Sequence, residues 1–242
     1  MTQQHRITLV TGANKGIGLE VARQLGKAGH TILLGARDAG RGQAAVEGLR
    51  SEGIEARWVS VDLGSPESIK AAAADIEQQE GRIDVLVNNA AIVDPADGPA
   101  GVADLAAVRR VFDTNFFGTV EATQALLPLL RKSTAGRIIN VSSGLGSIAL
   151  NADPTWEYAA VKILGYNGSK AALNLFTVIL AAELKDAGIR VHAVNPGYTA
   201  TDLNGHSGHQ TLAEGAQEIV RLAQAEGGET GTFTSKDGTD PW

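Results

Sequence analysis

Short aliphatic runs alternate along this chain with longer stretches in which apolar side chains recur every three or four positions. Ile7-Thr8-Leu9-Val10 is the first run, and a glycine-rich turn, Gly12-Ala13-Asn14-Lys15-Gly16-Ile17-Gly18, follows it. Such a run suits a strand buried on both faces. Leu19, Val21, Ala22 and Leu25 then form a helical stripe that stops at Gly26 or Gly29. The same alternation predicts further strands at 31–34, 56–61, 83–87, 137–141, 190–194 and 231–234. It predicts helices at 43–52, 65–79, 102–131 (broken near Asp113), 156–186 and 211–225. Ser65-Pro66-Glu67 is a helix start, with serine at the cap and proline in the first helical position. Residues 91–101 and 142–155 read as loops.

Strands that alternate with helices imply a parallel sheet covered on both faces. No linker, repeat or low-complexity segment interrupts the alternation between Ile7 and Thr234. The reading is an α/β fold, a single doubly wound Rossmann-type domain over 1–242 with a mostly parallel seven-stranded sheet. Its cofactor half spans about 1–140 and its catalytic and substrate half about 141–242. Ligands of such sheets bind beyond the carboxyl ends of the strands. Those ends fall near Thr11, Ala36, Asp62, Asn88, Ser142 and Asn195.

Composition narrows the partners. The 242 residues are 43% apolar, enough for a sizeable core. A net charge of −6 without a dense basic block argues against nucleic acid and anionic membranes. The absence of cysteine excludes disulfides, thiol catalysis and cysteine-bound zinc, and fits a reducing compartment. The longest apolar stretch, 173–184, is interrupted by Asn174, Thr177 and Glu183. It falls short of the ~20 apolar residues of a membrane span. The polar start lacks a signal-peptide pattern, so a soluble cytoplasmic protein is expected.

Two tyrosine–lysine pairs stand out, Tyr158 with Lys162 and Tyr166 with Lys170. Residues four apart share a helix face, which sets a phenol beside an ammonium. A fixed positive charge pulls a phenol's pKa down towards neutrality, as proton exchange with an alcohol or carbonyl oxygen requires. Gly165 interrupts the pattern after Lys162, whereas a long apolar helical pattern follows Lys170. Tyr166 and Lys170 are therefore the chosen pair.

The glycine turn between the first strand and first helix suits a phosphate, because helix N–H groups and the dipole point there. Gly12, Asn14, Lys15, Gly16, Ile17 and Gly18 are its candidate contacts. The second strand ends at Ala36-Arg37-Asp38. An acid there commonly holds a ribose 2′-hydroxyl, and an arginine accommodates a 2′-phosphate. Arg37, with Lys15 and Arg41, points to NADP(H), and Asp38 complicates that reading. Asp62-Leu63 suits an adenine or simply a helix entry. Asn89 and Ala90 hold a nucleotide or build a turn. Asn115 lies inside a helical stretch, where it marks a backbone irregularity, a bound water or an exposed side chain. Ser143 offers a hydroxyl to a substrate oxygen or caps a loop, and no acid–histidine pair activates it as a nucleophile. His206 and His209 lack a third evident metal ligand.

Together these motifs resemble the classical short-chain dehydrogenase/reductase family, closest to its NADPH-dependent carbonyl reductases. The matching segments are Thr11-Gly12-x-x-x-Gly16-Ile17-Gly18, Asn88-Asn89-Ala90, Asn115, Ser143, the Tyr166–Lys170 pair, and Asn195-Pro196-Gly197-Tyr198-x-x-Thr201. The resemblance implies that Ser143 and Tyr166 hold a carbonyl oxygen while hydride arrives from NADPH. It implies that Lys170 lowers the tyrosine pKa and holds the ribose, that Asn115 positions a water, and that Pro196, Gly197 and Thr199 embrace the nicotinamide. Two departures accompany it. Ala91 replaces the family's usual glycine, and Tyr166 follows Ser143 by 23 positions, longer than usual. The extra residues fall around 151–164 and leave a monomer, dimer or tetramer open. Leu145, Ile148, Trp156 and Tyr198 suggest an apolar or aromatic ketone or aldehyde. Alternatives are an NADP-dependent alcohol dehydrogenase working oxidatively on a sugar or steroid-like alcohol, and a non-catalytic NADP-sensing protein.

Overall fold

Eight strands make one sheet in a computed structural model that describes residues 5–242. The expectation of a polar, signal-free start falls partly on residues 1–4, outside the described residues. The strands are β1 (Ile7–Thr11), β2 (Thr31–Ala36), β3 (Ala56–Ser60), β4 (Val85–Asn88), β5 (Arg137–Val141), β6 (Arg190–Val194), β7 (Thr232–Ser235) and β8 (Gly238–Thr239). Their order is β3-β2-β1-β4-β5-β6-β7-β8, parallel throughout except for β8. The seven-stranded expectation thus gains a strand. Two residues turning back at Gly238, whose φ is +122°, leave no aliphatic run to detect.

Helices α1 (Gly16–Lys27), α2 (Ala39–Ser51) and α8 (Leu212–Gln224) cover one face of the sheet. On the other lie α3 (Pro66–Gln79), α5 (Thr119–Leu130) and α7 (Leu164–Glu183). Strand residues alternate between the two layers. Leu9, Leu86 and Ile138 pack with Ile76, Leu126 and Leu180. Their neighbours Val10, Val87 and Ile139 pack with Leu25, Val46 and Ile219. Both layers are dry, which is why the strands read as unbroken apolar runs rather than alternating ones.

The predicted helix over 102–131 is two helices, α4 (Leu105–Phe112) and α5, joined by a π-turn over Asp113–Gly118. A Cβ on Gly118 would lie 2.1 Å from the carbonyl oxygen of Leu63, so the turn presses directly on the β3–α3 connection. The helix predicted from 156 begins at Leu164. Residues 156–163 form a bend, a turn over 157–160 and an irregular stretch instead, and a five-residue helix, α6 (Ile148–Ala152), occupies the expected loop. Among the described residues, no helix is long and apolar enough to cross a membrane.

Candidate active site

A cleft of about 1170 Å³ runs across the carboxyl ends of the strands. Ligand pockets commonly occupy ~300–1,000 Å³, so this one has room for a dinucleotide and a second small molecule. The β1–α1 turn forms one end. Gly12 and Gly16 hold φ at +63° and +59°, values that favour glycine. A Cβ on Gly12 would lie 2.9 Å from the Cα of Ala90, and one on Gly18 would lie 2.4 Å from the Nδ2 of Asn89. The Asn89 amide donates to the carbonyls of Thr11 (2.9 Å) and Gly12 (3.3 Å). Thr11 Oγ1 accepts from the backbone N–H of Asn89 and of Ala90. Asn89 and Ala90 therefore shape the turn from behind. The start of α1 has no side-chain cap and no acid in its first turn, an arrangement that suits an anion.

At the end of β2, Arg37 is exposed and makes no ion pair among the described residues. Asp38 is occupied elsewhere. Its Oδ1 accepts the N–H of Arg41 at 2.8 Å and caps α2, while the Arg41 guanidinium lies 3.3 Å from Oδ2. The backbone N–H of Arg41, then its guanidinium, hold that carboxyl below the usual range. Lys15 reaches over the cleft to Asp202 at 2.5 Å. Asp62 and Leu63 line the far wall, the former accepting from the N–H of Gly64. Asn14 and Ile17 lie beside the turn, with Pro196, Gly197 and Thr199 opposite. Gly197 takes φ +70°, and a Cβ there would sit 2.5 Å from the Gln210 amide oxygen.

Ser143, Tyr166 and Lys170 meet on the floor of the cleft. The Tyr166 hydroxyl and Ser143 lie close together on that floor. Ser143 Oγ accepts from the N–H of Leu145 and so caps a single 3₁₀ turn. The Lys170 ammonium donates to the carbonyl of Val141 at 2.8 Å and sits 5.7 Å from the centre of the Tyr166 ring. Here the structure departs from the sequence reading. Burial pushes the phenol up to about 12, and only the neighbouring Ser143 side chain opposes it. Lys170, itself desolvated, falls to about 8. Its ammonium is turned towards Val141. Asn115 lies behind this group, at the π-turn. It is buried, and its amide pairs with both the C=O and N–H of Ile92 (2.9 and 2.8 Å) and donates to Ser169.

Tyr158 and Lys162 share no helix. Lys162 donates to the carbonyl of Asn151. Tyr158 joins a row of rings along the rim, 5.4 Å from Trp156 and 5.5 Å from Tyr198, with His209 5.9 Å beyond. His206 pairs with Asp202, so the two histidines serve different contacts. Ile148 is exposed on the outer side of α6, and Leu150 rather than Ile148 faces the cleft with Leu145. Sequence reasoning missed Leu150 and Asp97. The acid of an Ala-Asp-Gly loop gives no sign that it reaches the start of α7.

The family model described as short chain dehydrogenase matches residues 6–212. The chain is 38% identical over 223 residues to the short-chain dehydrogenase anuI of Penicillium roqueforti, covering 90% of this chain and 88% of that protein. It is 34% identical to mouse carbonyl reductase [NADPH] 3, covering 92% of each. Among solved structures, the NADPH-bound carbonyl reductase from chicken fatty liver superposes with a TM-score of 0.87 at 28% identity, over 99% of this chain and 100% of that one.

Proposed function

Since the chain belongs to the short-chain dehydrogenase family of oxidoreductases, we propose that it reduces a ketone or aldehyde to an alcohol with NADPH, using Tyr166 as the acid. The observation that carries this reading is the convergence of Tyr166 and Ser143 on the floor of the cleft, with Lys170 one helical turn along. Two hydroxyls facing one point can both donate to a carbonyl oxygen and polarise it.

The cleft fits a phosphorylated dinucleotide. The positive-φ glycines and the uncapped start of α1 suit a pyrophosphate. Arg37, unpaired by any described acid, suits a 2′-phosphate, and Asp38 is engaged by α2. The reductases cited above that are named for NADPH support the same choice. When bound, the reduced nicotinamide supplies the hydride. The chain's own residues do the rest. Tyr166 holds the proton that the developing alkoxide needs, and its raised pKa keeps that proton in place at neutral pH. Ser143 fixes the oxygen, and Lys170 places an ammonium beside the ring on which a negative charge remains once the proton has left. Leu145, Leu150, Trp156 and Tyr158 exclude water from one side and favour an apolar, ring-bearing carbonyl compound.

The test is consumption of NADPH, with NADH in parallel, against a panel of aldehydes, ketones, diketones and quinones. Tyr166→Phe should lower kcat on the order of 10²–10⁴-fold, the usual worth of a general acid. Its NADPH affinity should stay that of the wild type. A phenylalanine variant that turns over normally removes the proposed acid. NADPH binding without turnover of any carbonyl compound supports a nucleotide sensor instead.

A further inference from the structure

We propose that Asp97 is a positioning residue for Tyr166: from the loop that rims the cleft, its carboxylate clamps the first turn of α7 and so sets the phenol against Ser143. The proposal rests on the reading of Tyr166 as the acid.

The first N–H groups of a helix have no partner within it. At the start of α7 the cap position is Ile163, whose side chain accepts nothing. A loop far upstream supplies what is missing. The N–H of Leu164 donates to the carbonyl of Gly98 at 2.9 Å. Gly165 N–H donates to one carboxylate oxygen of Asp97 and Tyr166 N–H to the other, each at 2.9 Å. A carboxylate also meets the positive end of the helix dipole favourably. The regular helical ladder begins only with the next residue, Asn167, donating to Ile163.

Three further contacts make this a clamp rather than a passing loop contact. The N–H of Gly98 donates to the same Asp97 oxygen as Gly165 and fixes the carboxylate's orientation. Asp94 takes the Arg110 guanidinium at 2.8 Å, tying the loop to α4. Ile92 is held at both backbone groups by Asn115, which also bonds Ser169 on α7. The loop is thus anchored at three places, and one is the peptide of Tyr166 itself. Gly165 makes the approach possible, because a Cβ there would lie 2.7 Å from the bound carboxylate oxygen.

Ser143 hangs from the end of β5, and Tyr166 from the first turn of α7. The distance between their hydroxyls therefore depends on that turn staying wound. Small errors in placing a reacting group cost rate far more than binding.

The experiment compares Asp97→Ala, Asp97→Asn, Gly165→Ala and the Asp97→Ala/Gly165→Ala double variant with wild type. It measures kcat per NADPH-binding site, NADPH affinity, and amide hydrogen exchange at Gly165 and Tyr166. Asp97→Ala should lower kcat by roughly ten- to a hundredfold, since misplacement of about 1 Å can cost that much. Exchange at the two amides should rise and NADPH affinity should hold. Asp97→Asn keeps one acceptor and should fall between. Gly165→Ala should lose at least as much as Asp97→Ala, because its Cβ would also meet the Cα of Val108 at 3.1 Å, and the double variant should lose no more than Gly165→Ala alone, because the Asp97 contact is broken in both singles. A merely structural aspartate would reduce the number of NADPH-binding sites and leave kcat per site alone. Wild-type kcat with faster exchange in Asp97→Ala overturns the proposal, and so do losses that multiply in the double variant. Failure of the parent reading shows elsewhere, in a Tyr166→Phe variant that keeps its turnover.

Discussion

At the end of the cleft proposed to hold the nucleotide the chain presents backbone; at the end proposed to hold the substrate it presents side chains. The β1–α1 turn has three glycines whose missing Cβ atoms are what the site requires. Two of them are pressed against Ala90 and Asn89. Asn89, Ala90 and Thr11 brace the turn through hydrogen bonds to main-chain groups. The other end is a row of half-exposed rings, Trp156, Tyr158 and Tyr198, touching edge to face or tilted and ending at His209. One end tolerates almost no change of shape. The other can exchange one ring for another. A scaffold built in this way keeps the cofactor constant while the substrate varies.

The largest effect should come from breaking the rigid end. Gly18→Ala forces a Cβ to within 2.4 Å of Asn89 Nδ2 and 2.8 Å of the Gly12 carbonyl oxygen. Neither can yield without releasing the bonds that shape the turn. The loss should be about 1–3 kcal/mol of stability from overpacking alone. NADPH binding should weaken by two orders of magnitude or roughly that, in line with the strained site. Calorimetric unfolding and NADPH fluorescence titration check both. An alanine variant that binds NADPH normally would mean that the turn does not face the pyrophosphate.

A smaller and more selective effect belongs to Arg37, the one side chain proposed to mark the nucleotide's phosphate. It stands in solvent, so screening reduces its worth. A hydrogen bond to a charged group contributes about 1.5–3 kcal/mol. Arg37→Ser should therefore lower kcat/KM with NADPH about tenfold or somewhat more and leave NADH unchanged. Equal losses with both cofactors would place Arg37 in the general architecture rather than at a 2′-phosphate. Arg41 is already paired with Asp38, so its removal should act chiefly on the start of α2.

The difference between the two ends also explains what was legible in the sequence. The glycine turn, the strand ends and the Tyr166–Lys170 spacing are local, and each motif is contiguous in the chain. So is the helix break near Asp113, where the π-turn lies. What escaped depends on contacts between distant residues. Tyr158 touches Tyr198, and Asp97 reaches Tyr166, only because the fold brings separate loops together. The segment from 156 to 163 carries a helical pattern but packs its rings on Tyr198 instead of winding into α7. Tertiary contact overrides weak local propensity there. The phenol's pKa misled for the same reason. Spacing fixes which face Lys170 occupies but not its burial, and burial is what raises Tyr166 and lowers Lys170.

The smallest expected effect concerns the second tyrosine, and it sharpens the comparison most. Tyr158 has the same spacing to a lysine as Tyr166, yet its surroundings differ in every respect that matters. Its lysine partner bonds Asn151. Its hydroxyl is pushed up by burial and by the carboxylate of Glu157, with no serine to share its proton. Its ring packs on Trp156 and Tyr198. Tyr158→Phe should therefore leave kcat and KM essentially at wild-type values. Tyr158→Leu removes two ring–ring contacts, each worth about 0.5–1.5 kcal/mol. It should raise KM for a ring-bearing ketone several-fold and leave kcat in place. Steady-state kinetics on one aromatic and one small aliphatic carbonyl compound separates the outcomes. If Tyr158→Phe lost kcat instead, the acid would lie on the adaptable rim, and the division of the cleft into a fixed end and a variable end would be wrong.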